Sequence, residues 1–299
     1  MLAFMKAMPG SVAQGLIWGI LAIGVYITYK VLDYADLTVD GSLCTGGAVA
    51  VMLMLAGVNP VIAVLCAGLA GMVAGLVTAV FHVVFGIPAI LSGILTQLGL
   101  YSVNMRIMGK SNQAISVDKY NLLLSLRDIP HAIIVSVIVV AIIIGVLYWF
   151  FGTETGRAIR ATGNNEKMSA AQGININSMK ILGLMLSNGL VGIAGAFYAQ
   201  YQGNADVNMG RGAIVIGLAA VIIGEVLFGK FFRNFAFRLT GVVFGTILYF
   251  VIIAVVLQLG LSTTDLKLVS ALIVAIFLAV PYMRGQYLMK QKRGGKSNA

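Results

Sequence analysis

Roughly nine long apolar runs divide this chain, at about 11–29, 41–57, 60–82, 87–108, 131–151, 180–200, 213–229, 238–259 and 267–283. A helix needs about 20 apolar residues to cross the hydrocarbon core of a bilayer. Most of the runs reach that length, while 41–57 is short. Lipid offers no water to a peptide group, so a spanning segment must satisfy its own backbone. The fold class that follows is all-α, a polytopic transmembrane helical bundle of about 8–10 membrane segments. It forms a single domain over 1–299. Of the 299 residues, 60% are hydrophobic and 10% charged, against about a quarter charged in soluble domains. The first run is read as a retained span rather than a removed signal peptide. No clear small-x-small cleavage site follows it, and further spans do.

The net charge of +10 would raise nucleic acid as a partner on a soluble protein. Here lipid is the surrounding phase, and the charge is read as topology, since Lys and Arg mark cytoplasmic loops. Arg157, Arg160, Lys167 and Lys180 lie in the 152–180 loop. Lys230, Arg233 and Arg238 lie in the 230–238 connector. Arg284, Lys290, Lys292, Arg293 and Lys296 lie in the tail, about 284–299. Alternation puts these three segments on one side, assigned to the cytoplasm. The loops at 201–212 and 260–266 are then external, as is the longer 109–130 loop despite Lys110, Lys119 and Arg127. Counting back puts the N-terminus outside. The stretch 33–42 is either a cytoplasmic loop or an unwound segment dipping inward. Non-helical backbone at membrane depth is allowed only where it is buried in protein or lines a cavity.

The polar stretch from Gly156 to Asn175 cannot sit in lipid and has the chemistry of short helices. Thr153 or Thr155 can cap, and Glu154 favours a helix N-terminus. Ala158, Ala161, Ala170 and Ala171 favour a closely docking helix, while Gly156, Gly163 and Gly173 cut it into pieces. It is either an ordinary connector with topogenic arginines or a surface made to be gripped by another protein. The chain also holds 36 glycines. Spacings such as Gly15/Gly19, Gly71/Gly75, Gly189/Gly192/Gly195 and Gly241/Gly245 indicate close helix packing, within one chain or between two.

Catalytic and metal chemistry find no support. Cys44, Cys66, His82 and His131 are scattered, which argues against a disulfide framework or a metal site. No Ser-His-Asp grouping and no Gly-x-Ser-x-Gly occurs, so an enzyme is not expected. Asp33, Asp36 and Asp40 lack the spacing of a calcium loop; they are read as solvated or paired with Lys30, with Asp40 kept as a channel-lining candidate. Gly224 to Lys230 has the Gly-x4-Gly-Lys spacing of a phosphate loop, but Phe231 stands where Ser or Thr would bind magnesium. Glu225, an ionisable group inside an apolar run, is either functional or a carboxylate snorkelling toward Lys230 or Arg233.

Three motifs, in order along the chain, resemble one family. Gly156, Arg157, Arg160, Ala161-Thr162-Gly163-Asn164-Asn165, Ala170-Ala171 and Gly173-Ile174-Asn175 look like the cytoplasmic coupling segment of the bacterial branched-chain amino acid and ribose type ABC permeases. Asp36-Leu37-Thr38-Val39-Asp40-Gly41-Ser42 resembles the family's signature after its first core helix. Gly217-Leu218-Ala219-Ala220-Val221-Ile222-Ile223-Gly224 resembles a later one. Asp40 and Glu225 depart from the glycine or small residue usual at those places. These departures leave the substrate open and prompt a subgroup handling amino acids, aromatic ones included.

The resemblance implies a multi-pass inner-membrane permease subunit of a binding-protein-dependent importer, carrying a small polar solute such as an amino acid. It implies three partners: a cytoplasmic ATP-binding subunit, an extracytoplasmic substrate-binding protein, and a second permease copy or sister. The chain needs no cofactor of its own, because ATP is used by the partner. The coupling segment, about 152–178, would dock the ATPase through Gly156, Arg157, Arg160, Gly163, Asn164, Glu166 and Gly173. Asp36, Thr38, Asp40, Ser42 and Glu225 are the candidates for the translocation path. A stand-alone secondary transporter or channel is the alternative. It needs ionisable residues near the midplane, and only Glu225 and Asp40 are on offer.

Overall fold

The computed structural model describes residues 2–117, 120, 122–229, 234–258, 268–277 and 279, with side chains from Met8 onward. Lys119, Lys230, Arg233, the 260–266 loop and the basic tail at 284–299 lie outside the described residues.

The chain is an all-α polytopic bundle. Its helices are α1 (Leu2–Tyr26), α2 (Val39–Leu55), α3 (Pro60–Val83), α4 (Ala89–Met108), α5 (Ile129–Gly152), α6 (Glu154–Asn164), α7 (Glu166–Ala171), α8 (Ile176–Gln202), α9 (Ala213–Phe228) and α10 (Phe235–Gln258). A further helix, α11, covers Leu268–Phe277. Five segments among the described residues are long and apolar enough to cross a membrane: Met8–Val31 and helices α3, α5, α8 and α10. The runs at 41–57 and 213–229 appear as the shorter helices α2 and α9. Each begins only after a non-helical lead-in. At about 1.5 Å per residue, the 17 residues of α2 fall short of a bilayer core of about 30 Å.

Helix α8 is the central post and packs against α1, α2 and α3. Contacts fix the directions. Tyr201 Oη donates to Gly10 O at 3.4 Å and Ser187 Oγ to Gly24 O at 2.8 Å, so α1 runs antiparallel to α8. Ala67 and Gly71 approach Gly192, and Gly75 approaches Leu184, so α3 is antiparallel too. The close approaches need glycine. A methyl at Gly71 would overlap the carbonyl of Asn188, and one at Gly195 would overlap that of Leu43. The glycine spacings seen in the sequence are therefore used within one chain. Helix α5, by contrast, leaves Ile134, Val137, Ile138, Ile142 and Val146 exposed, a face suited to lipid.

One local feature escaped the sequence. Strands β1 (Asn112–Ala114) and β2 (Asn204–Asp206) pair antiparallel, Gln113 opposite Ala205. They lie at the end of the bundle away from α6. Three-residue polar strands carry too little alternation to be read in advance.

Candidate functional site

Two regions hold the residues the motifs single out. The first is the polar segment between α5 and α8. Thr153 caps α6: its hydroxyl accepts from Gly156 N at 3.3 Å and donates to Phe150 O at 2.6 Å. Gly156, Ile159 and Thr162 form the buried face of α6. Arg157, Arg160 and Asn164 share the opposite, exposed face, as their spacing on a helix requires. Arg157 Nε donates to Gly152 O at 3.0 Å, and the Arg160 guanidinium lies 5.3 Å from the Phe235 ring centroid. Asn165 caps α7 by accepting from Met168 N at 3.0 Å. Glu166 forms an ion pair with Lys180 at 2.7 Å, and Gly173 turns the chain with φ +80.

Beside the exposed face of α6 lies a cavity of about 760 Å³ whose wall includes Lys30, Asp33, Arg157, Arg160, Asn164 and Arg238. Gly163 closes one side of it. A methyl there would overlap Val31 O and crowd the backbone of Leu32. Helix α6 thus seats directly on the point where α1 ends.

The second region begins at that point. Helix α1 widens into a π turn, Ile27–Val31, a form often found at functional sites. Asp33 follows with φ +53, the one described non-glycine residue at positive φ. The backbone stays non-helical until α2 starts at Val39. Asp33 and Ala35 are exposed, but Asp36, Thr38 and Ser42 are buried, so the stretch enters the interior from Asp36 onward and Asp36 is not solvated. Asp36 Oδ1 accepts from Thr38 N at 2.9 Å, and its Oδ2 accepts from Asn188 Nδ2 at 2.7 Å. Ser42 Oγ donates to Asn188 Oδ1 at 2.6 Å. The Thr38 and Thr78 hydroxyls are 2.6 Å apart, and Thr78 reaches Thr96 at 2.9 Å. Helices α2, α3, α4 and α8 are pinned together by this polar knot near the midpoint of α8. A buried polar group must find such partners, or it loses about 1–3 kcal/mol.

Asp40 faces the other way. Its Oδ2 accepts from Gly212 N and its Oδ1 from Ile214 N, both at 2.9 Å. Residues 204–212 run back from the β1–β2 end along α2, with Val207 O near Cys44 and Met209 near Gly47. Helix α9 starts only there. Asp40 therefore caps a second interrupted helix from the first turn of α2. Lys30 pairs not with the neighbouring aspartates but with Glu225 on α9, at 2.9 Å. The Gly224–Gly229 stretch of the phosphate-loop spacing lies inside α9 and at its end, not in a loop that opens a helix.

The structure gathers Asp36, Thr38 and Ser42 in one knot, and places Asp40 and Glu225 at the two ends of α9. Asp40 lines a cavity with Gln97, Tyr101, Asn104 and Arg211; Glu225 lines one with Tyr26 and Arg238. Sequence reading missed Asn188, although a lone Asn inside an apolar run is a signal of interhelical bonding. It also missed Arg211, hidden in a loop read as nearly neutral.

Residues 8–281 match the family described as branched-chain amino acid transport system, permease component. The chain is 42% identical over 275 residues to the tyrosine transport system permease protein of Clostridioides difficile, covering 92% of this chain and 91% of that one. It is 26% identical over 264 residues to the ribose import permease protein RbsC of Escherichia coli, covering 87% and 81%. Among solved structures, PsaBC from Streptococcus pneumoniae in complex with Fab shares the fold. The TM-score is 0.53 at 14% identity, over 93% of this chain and 95% of that one.

Proposed function

The chain belongs to the family of branched-chain amino acid transport system permease components, and on that premise we propose that it imports an amino acid, using force delivered to α6. It is a permease subunit of an ABC importer and a multi-pass protein of the bacterial cell membrane. An ATP-binding subunit docks on the exposed face of α6 and α7, at Arg157, Arg160, Asn164 and Glu166. That end of the bundle is cytoplasmic. A binding protein delivers substrate to the β1–β2 end, and a second permease copy or sister completes the path. ATP stays with the partner. The relative named for tyrosine transport favours an amino acid, aromatic ones included, over the sugar of the ribose relative.

The observation that carries this reading is the seating of Gly163 on Val31 and Leu32. A push on α6 arrives where α1 is interrupted. It then meets, in order along the chain, the strained Asp33, the Asp36–Asn188 bond, and Asp40 on the cap of α9. Two states of such an element give coupling only if the partner contacts each differently, and interrupted helices supply the bistable part. The test is affinity capture of the tagged chain from its native membrane in mild detergent. A stoichiometric ATP-binding protein, lost in R157E/R160E, is the expected result. Capture of the chain without any nucleotide-binding partner, even after crosslinking, favours the stand-alone transporter instead.

A further inference from the structure

Helix α5 is the least buried of the five candidate spans. Ile138, Ile142 and Trp149 lie along one exposed side of it, as their helical spacing requires. That side ends in aromatic rings: Tyr148 is 50% exposed and Trp149 71%. Rings so placed, one turn from the end of a span, belong at headgroup level, with the ring body in hydrocarbon and the polar tip in the wet layer.

Just beyond them lies a cavity of about 610 Å³, walled by Tyr148, Trp149, Arg157, Arg160, Asn234 and Phe235 among others, with no acidic residue in the wall. Thr153 ends α5 and caps α6 at once, so no linker carries α6 away from the membrane surface. Arg157 reaches back over the end of α5 to Gly152 O, and Arg160 lies against the Phe235 ring. Among the described residues, a backbone carbonyl and a ring hold these two cations, and no carboxylate does. Like charges one turn apart on a helix repel, and an anion between them removes that cost.

We propose that this cavity holds the phosphate of an anionic phospholipid, whose acyl chains lie along the exposed side of α5. Arg157 and Arg160 donate to the phosphate oxygens, for which the guanidinium fork is suited, and Trp149 and Tyr148 pack on the top of the chains. Basic pockets between spans at a membrane surface take such headgroups. An acidic protein surface would satisfy the arginines, but it gives no use to the bare rings and the apolar stripe that lead to them. Both arginines also line the 760 Å³ cavity beside α6, so they stand between the two spaces. The lipid takes the α5 side and leaves the other to a protein partner. The site stands whether or not the importer reading does.

Trp149 is itself the probe, because the chain has 2 tryptophans and Trp18 is buried. Full-length W18F is reconstituted in phosphatidylcholine vesicles that contain lipid dibrominated near the top of its chains, either phosphatidylglycerol or phosphatidylcholine. Bromine quenches tryptophan on contact. Brominated phosphatidylglycerol is expected to half-quench Trp149 at about one tenth the mole fraction that brominated phosphatidylcholine needs, from the attraction of two arginines. G152E brings a carboxylate to the cavity wall without a clash, since nothing lies within 4 Å of the added carbon. In the W18F background it should abolish the preference, as should R157Q/R160Q. Excess inorganic phosphate should leave the quenching unchanged; relief by phosphate would make this a site for soluble anions and overturn the lipid. Equal quenching by the two lipids in W18F, or a preference that survives both sets of substitutions, would overturn the site and leave the arginines to a protein partner. If W18F does not insert, phosphatidylglycerol retained in mild detergent, counted by mass spectrometry, decides. Wild type should keep more of it than G152E, and equal retention would overturn the site.

Discussion

Asp36 and Asn188 meet at 2.7 Å across the middle of the bundle, the Asn188 side-chain N–H donating to Asp36 Oδ2. One residue stands on unwound backbone, the other at the centre of the longest helix. The same Asn188 accepts from Ser42, so a single side chain ties the unwound stretch and the first turn of α2 to α8.

Replacing Asn188 should therefore cost more than an ordinary polar substitution. N188L strips Asp36 of a donor and Ser42 of an acceptor in a place water does not reach. The expected loss is about 1–3 kcal/mol for each orphaned group. The detergent-solubilised variant should melt several degrees below wild type, and D36N should melt above N188L. Equal melting temperatures for N188L and wild type would show that the knot does not hold the segment.

Asp40 makes a different prediction, because it caps rather than pins. D40N keeps one carbonyl acceptor for the start of α9, whereas D40A keeps none. Loss of a cap costs about 0.5–2 kcal/mol, and loss of the charge removes its interaction with the helix dipole. Amide exchange at Gly212 and Ile214, followed by mass spectrometry, should rise slightly in D40N and strongly in D40A. No change in D40A would remove the cap from the account.

Gly163 tests the seat of α6. No side chain fits between α6 and Val31, so G163V must lift the helix or shift the π turn. Uptake should fall about tenfold or more while the ATP-binding partner still co-purifies, since the Arg157–Arg160 face is untouched. A transport rate equal to wild type would mean that α6 does not act through the end of α1.

The Lys30–Glu225 pair is half exposed on both sides, and such pairs contribute about 0–1 kcal/mol. Its use is orientation of α9 against the π turn rather than stability. K30E and E225K should each lower uptake with little change in melting temperature. The double exchange should restore much of the loss, because opposite charges again face each other. Additive damage in the double variant would argue against a working pair.

Much of this was legible in the residues. The apolar runs mark nearly every helix, the Thr153 cap and the glycine breaks outline α6 and α7, and Asp36 to Ser42 stood out as an acidic stretch too polar for a span. What stayed hidden depends on distance along the chain. That Asp40 also caps α9 was hidden, because its partners, Gly212 and Ile214, are backbone amides with no sequence signature. Lys30 looked like a partner for nearby aspartates, yet helix packing brings it to Glu225. The bounds of α2 and α9 were legible, but the packing of their non-helical lead-ins against the bundle was not, because such a lead-in has the same composition as a loop.

The central claim is that force enters at the exposed arginines of α6. The most direct measurement is uptake of radiolabelled L-tyrosine, alongside binding-protein-stimulated ATP hydrolysis, in membranes carrying R157E/R160E at wild-type abundance. The account predicts that uptake falls at least about tenfold and is no longer tied to hydrolysis, since the charge that faces the partner is inverted. Uptake at the wild-type rate, with hydrolysis still stimulated, would contradict it.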